Sequence, residues 1–440
     1  MKTATTYFIP EQLEPILEYI DRMWAVLTVY QPKDKGTLIG LPKPYIVPSS
    51  HNTQGFGFHE MFYWDSFFIA QGLYGTRHQV IAADMLDNLL YLQRRFGIIP
   101  NGNRYYFLSR SQPPFLTTYI LDVYHRMHRS KKWLSRSMAV AESEYLQVWT
   151  SSVHPHLHQV HRGLSRFYDI NLTHDLAEAA SGWDMTPRFG GECLDFLPID
   201  LNCLLFKYEK DFETVNGMLG RPKDAQMWAK RAYRRKQVIN ELMWDEQAGF
   251  YFDYNFVTGK RSPVWSLAAY FALWAGVANR KQATRMVEQL KQFQFDGGLA
   301  TTNKSSVAST ESRSLQWEYP NGWAPLQWIT TEGLVKYGFR EEADVVVRTW
   351  LAANVAQFNL HNELLEKYNV VQPQQSPKPG LYPSQEGFGW TNAVFYRLAH
   401  DYLLPQELPD GQVSKYSNKV NIQWSGTFAN PAIVSSPSSR

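Results

Sequence analysis

The 440-residue chain is short of cysteine, of charge and of long apolar runs, and each shortage excludes a class of protein. Two cysteines, Cys193 and Cys203, cannot staple a disulfide scaffold and lack the spacing of a metal site. No stretch approaches the roughly 18 uninterrupted apolar residues of a membrane-spanning helix. The opening MKTATTYFIPEQLEPILEYIDRMW has neither the apolar core nor the small-residue cleavage site of a secretory signal, so the chain is expected to be cytoplasmic. Charged residues make up 19% of the whole, against a usual share of about 25%. Lys+Arg 44 against Asp+Glu 41 leaves +3, with no concentrated basic stripe, so no nucleic-acid partner is expected. Strand-type alternation is also missing over any length that would build a major sheet.

What is present is apolar and aromatic. Hydrophobic residues reach 44%, and 15 Trp, 25 Tyr and 25 Phe supply both core and rings for sugar faces to stack on. Apolar residues recur at i, i+3, i+4 and i+7 over 11–27, 80–96, 222–244, 280–293 and 341–358, the pattern of amphipathic helices. Shorter helices are predicted at 115–128, 132–150, 199–213, 264–277, 325–337 and 389–404. A small hairpin is expected in 249–265, turned at Thr258-Gly259. The fold class is therefore all-α, with one domain over 1–405 and a C-terminal extension over 406–440. Loops rich in Trp, Gly, Pro and Asn separate the helices, which is where a helical scaffold presents a site. The segment 373–380 reads as a mobile insert.

Seven strings carry a family resemblance: LPKPYIVP (41–48), EMFYWDSFF (60–68), IPNGNRYYFLSRSQPPF (99–115), AASGWDMTPRF (179–189), LQWEYPNGWAPLQWITTEGL (315–334), LLEKYNV (364–370) and QEGFGWTNAV (385–394). In this order and spacing the chain closely resembles the trehalases, glycoside hydrolase family 37. The resemblance implies an (α/α)6 toroid and an inverting hydrolase of an α-glucosidic bond, with no cofactor or metal and with a small sugar as its partner. Inversion needs one carboxyl protonated as general acid and a second ionised as general base. By the resemblance these are Asp184 of SGWD and Glu366 of EKY. Taken singly, Asp184 reads as a helix cap and Glu366 as a surface acid. The same matching gives Trp64, Asp65, Asn101, Arg110 and Gln316 as sugar partners, with Phe58, Trp317 and Trp323 as apolar walls. Asp65 follows Trp64 in a string with few charges, so a ligand or an arginine is its expected partner.

Three departures fall where the family holds the second glucose. Gly57 replaces an arginine. Leu164 replaces the glutamate of an Arg-Pro-Glu-Ser string whose arginine is kept as Arg162, and Leu381 replaces a glutamate after a glycine-rich lid. Each lost polar contact costs roughly 1–3 kcal/mol, so a compact aglycone is expected. GLSRFYD (163–169) resembles the glucosylglycerate and mannosylglycerate hydrolases of family 63. The leading expectation is an α-glucosidase for glucosylglycerol, or for glucosylglycerate; the alternatives are a trehalase and a non-catalytic sugar-binding protein on the same barrel. His154, His156, His158 and His161 crowd eight residues but fit no standard zinc spacing, so a structural or aglycone-contacting role is expected.

Overall fold

The helical periodicity becomes thirteen α-helices among the described residues of the computed structural model, which are 4–5, 10–49, 56–151, 154, 157–306, 315–403 and 423–424. In chain order they are α1 (Pro10–Leu27), α2 (Tyr63–Leu73), α3 (Gln79–Phe96), α4 (Leu116–Arg126), α5 (Lys131–Glu144), α6 (His174–Ala180), α7 (Ile199–Met218), α8 (Pro222–Leu242), α9 (Phe271–Ala275), α10 (Arg280–Gln289), α11 (Ala324–Lys336), α12 (Arg340–His361) and α13 (Gly389–Tyr402). Local chemistry sets their ends. α8 begins on Pro222, whose missing N–H is no loss in a first turn. In α10, Asn279 and Gln282 cap each other's backbone reciprocally. α3 stops at Gly97, with φ of 73°.

Six helices touch one another in sequence. Phe67 of α2 meets Tyr119 of α4 edge to face at 6.1 Å. α4 packs on α7, α7 on α9, α9 on α11 and α11 on α13, and α13 returns to α2. Five more lie outside this series: α3 against α2, α5 against α4, α8 against α7, α12 against α11 and α1 against α13. The α2–α13 crossing is so close that a Cβ on Gly72 would run into the backbone of Ala393, so this position takes only glycine. All eleven residues of α2 are buried. None of the helices is long and apolar enough to cross a membrane, among the described residues.

Among the described residues, strands form short antiparallel ladders. Asn321–Trp323 pairs with Lys367–Asn369, and the expected hairpin pairs Tyr254–Asn255 with Lys260–Arg261 around Thr258-Gly259. The segment at 373–380 is tied down: Lys378 N–H donates to Asn321 Oδ1 at 2.7 Å, Asn321 Nδ2 returns a bond to Lys378 O at 2.9 Å, and the Lys378 ammonium pairs with Glu318. The expected boundary at 405/406 and most of the extension lie outside the described residues.

Candidate active site

Loops and first turns at the N-terminal ends of α2, α4, α11 and α13 converge on a cavity of about 300 Å³. Asp184 and Glu366 both face it, 182 positions apart in sequence. With them stand Phe58, Trp64, Asp65, Asn101, Arg110 and Trp317. These eight of the candidate residues are brought together.

The Asp184 loop is wired to the string that follows 131 residues later. Gln316 Nε2 donates to Asp184 O at 2.6 Å, and the N–H groups of Gln316 and Trp317 both donate to Met185 O at 3.1 Å. Gly182, at φ of +75°, lets this loop press against Trp64; a Cβ there would lie 2.7 Å from the indole. Arg188, four residues on, is fully buried. Its guanidinium donates to Asp200 at 2.7 and 2.8 Å and to Asp253 at 2.9 and 2.8 Å, with its carbon 4.4 Å from the Trp183 ring. Burial pushes the Asp184 carboxyl up to about 7; its own N–H opposes this, the Glu366 charge adds to it, and Arg110 pulls it back.

Glu366 is held by different partners. It is buried with Lys367 Nζ 3.0 Å from Oε2, and Tyr382 donates its hydroxyl to Oε1 at 2.9 Å. Its carbonyl accepts from Trp390 Nε1 at 3.1 Å, and its N–H donates to Gln385 O at 2.9 Å. An ammonium and a hydroxyl are both directed at this one carboxylate. The two carboxyls thus stand in contrasting surroundings, the arrangement that separates an acid from a base.

Asp65 does not meet the expected arginine. Among the described residues no ion pair reaches it, and burial raises its carboxyl well above the usual range, with Glu366 and Asp184 adding to the rise. Its position in the first turn of α2 puts it on the cavity floor. Arg110 instead pairs with Asp169, at 3.1 Å. Burial pulls the Asp169 carboxyl up, but the Asn171 N–H, Ser109 and Arg110 outweigh it and hold it below its ordinary value.

Three candidates stand elsewhere. Gln316 is buried behind the wall and touches the Asp184 backbone rather than the cavity. Trp323 lies one layer back, stacked on Trp317 at 3.9 Å and 1°, with Lys367 Nζ 5.1 Å from its ring. Arg162 is not in the cavity at all. It sits at φ of 51° in the turn joining Gln159–His161 to Leu164–Ser165, where its guanidinium makes a fork with Glu241 at 2.5 and 2.6 Å. The turn aims it at Glu241 of α8 instead. Arg162→Ala is therefore expected to leave kcat/KM for any glucoside within about twofold; a tenfold loss in a steady-state assay would return it to the site.

Nor do the three departures share a neighbourhood. Gly57 borders the cavity, Leu164 is buried in its ladder, and Leu381 is 57% exposed. The histidines also separate. His158 is packed between Trp149 and Tyr168, and burial drops its pKa to about 3, while His161 lies on Phe256; His156 is outside the described residues. No group of three His, Cys, Asp or Glu side chains gathers to hold a metal among the described residues.

Sequence reasoning missed the rings that complete the cavity. Tyr382, Phe388 and Trp390 lie within or beside quoted strings, and Phe62 and Phe107 sit inside them. Their signal was aromaticity next to a candidate acid or base, diluted by the many other aromatics in the chain.

Comparison with known proteins gives the following. A family model described as Trehalase matches residues 6–175 and 166–402. A cytosolic neutral trehalase of Neurospora crassa is 33% identical over 88% of this chain and 63% of its own length, so the chain spans less than two thirds of that relative. A periplasmic trehalase of Escherichia coli O1:K1 is 32% identical over 91% of this chain and 76% of its own length. Among solved structures, neutral trehalase Nth1 from Saccharomyces cerevisiae superposes with a TM-score of 0.71 at 30% identity, covering 81% of this chain and 73% of that one. A GH63 mannosylglycerate hydrolase from Thermus thermophilus in complex with glucose shares the fold, with a TM-score of 0.63 at 17% identity over 86% of this chain and 99% of its own.

Proposed function

The chain belongs to the trehalase family, and on that premise we propose that it hydrolyses an α-glucosidic bond with inversion, Asp184 serving as general acid and Glu366 as general base. The observation that carries the reading is the opposed pair: a carboxyl lifted to about 7 facing one bound to a lysine and a tyrosine. Water adds to the anomeric carbon and yields its proton to Glu366. The carbon–oxygen bond breaks as the leaving oxygen takes the proton of Asp184. Asp65, Asn101 and Arg110 would hold hydroxyls, with Trp64, Trp317 and Phe58 against the apolar faces of the sugar. The closed series of six contacting helices, with five more packed outside it, supports reading the fold as the (α/α)6 toroid.

For the group beyond the bond, the likeness to trehalases favours trehalose, and we take it as the first substrate to test. One observation favours a compact neutral glucoside such as glucosylglycerol: Gly57 borders the cavity with no side chain where the family resemblance expects an arginine. Glucosylglycerate is disfavoured, because the cavity's arginine is already committed to Asp169. Assays with all three, read by released glucose, discriminate these, and early NMR of a glycerol glucoside should show β-glucose first. Because the acid must carry its proton, kcat/KM should fall as pH rises through about 7. The Arg110 charge opposes the rise of Asp184, so Arg110→Met should move that limb to higher pH. A limb that stayed fixed or moved down would remove Asp184 from the acid's role.

A further inference from the structure

The cavity has two ends of different chemistry. At the floor, Trp64, Asp65, Trp317 and Trp390 are at most 5% exposed. At the mouth, Phe56 is 37% and Tyr106 is 56% exposed. The hydroxyl-binding groups are at the floor. On the glycosidase reading above, on which this inference rests for its orientation, the glucose occupies the floor and the departing group lies at the mouth.

The mouth is built from rings. Phe56 lies flat on Tyr382, with centroids 4.9 Å apart at 8°, and Phe58 stands edge-on to both at 5.2 Å. Tyr106 stands edge-on to Phe107 at 4.7 Å, and both line the cavity. The charges nearby already have partners: Glu60 accepts from Arg104 at 2.5 Å, and Arg110 is bound to Asp169. Among the described residues lining the cavity, Arg110 is the one cation. Ring faces carry the negative end of a quadrupole, so they repel a carboxylate and accept another ring stacked with an offset or edge-on. Phe56 and Tyr106 keep 37% and 56% of their surface in solvent, and a flat apolar group seated there would bury part of it.

We infer that the mouth is an aglycone subsite holding a flat, uncharged, apolar group by ring stacking, so that the substrates of this site include α-glucosides of aromatic alcohols.

Binding and turnover test this separately. Titration calorimetry compares two hydrolysis-resistant ligands, 4-nitrophenyl and methyl 1-thio-α-glucoside, which differ only at the mouth. The aryl ligand should bind at least tenfold tighter, about 1.4 kcal/mol. In Phe56→Ala and in Tyr106→Ala, both at exposed positions, that ratio should fall toward one. A ratio near one in the unaltered protein, or one that survives both substitutions, overturns the inference. Release of fluoride from α-glucosyl fluoride, whose leaving group is too small to reach the mouth, reads the hydrolase assignment on its own. No release overturns that assignment, whereas release with an unselective mouth overturns only the subsite.

Discussion

Asp184→Asn and Glu366→Gln are each expected to lower kcat on an ordinary glucoside by at least about 10³-fold, within the range that positioned proton transfer supplies. The two should part company on α-glucosyl fluoride. Fluoride departs without being protonated, so Asp184→Asn should keep much of its activity there. Glu366→Gln should lose both activities, because every substrate needs the activated water. Stability separates them as well. Asp184 resists ionising where it is buried, so an uncharged amide should hold or raise the melting temperature. Glu366→Gln instead deprives the buried Lys367 ammonium of its anion, and some loss is expected. Equal losses for both variants on glucoside and fluoride would end the acid–base division.

The largest stability effect is expected at Arg188. Its guanidinium is buried with Asp200 and Asp253, and four hydrogen bonds satisfy both carboxylates. Asp253 also accepts from the Ile199 N–H at 2.9 Å, and Asp200 from Leu201 N–H at 2.9 Å, so the cluster clamps the start of α7 to the Asp184 loop. Arg188→Met keeps the volume and removes the charge, leaving two carboxylates facing each other out of water. Breaking such a buried pair costs roughly 3–5 kcal/mol, read from the urea midpoint. Adding Asp200→Asn and Asp253→Asn to the same chain should recover much of it, since no charge is then stranded. A shift below about 1 kcal/mol for Arg188→Met would mean the aspartates are relieved by water.

The long helices were legible because they have two faces. The periodicity over 11–27, 80–96 and 222–244 corresponds to α1, α3 and α8 within a residue or two at each end. α2 escaped because it has no polar face: with all eleven residues buried, its sequence offers no contrast to read. The cavity was legible as strings. What the strings could not carry was direction. Arg162 lies beside a matched motif, but its turn sends it to Glu241, and Gln316 reaches the Asp184 backbone instead of the sugar. The Arg188 cluster joins positions 12 and 65 residues apart, and nothing in either separation marks them as partners.

Asp65, Asp184 and Glu366 confront one another across one buried cavity, the first two resisting ionisation partly because the third is charged. On the proposed assignment, each cleavage takes a proton from Asp184 and leaves one on Glu366. The protein emerges from turnover with the right number of protons on the wrong carboxyls, an isomer of itself. A second substrate cannot be cleaved by that isomer, so every cycle contains a silent return step that no product records. Asp65 lines the same cavity, where burial, with Glu366 and Asp184 adding to it, raises its carboxyl well above the usual range. Restoring the pair needs only that Glu366 release a proton and Asp184 regain one.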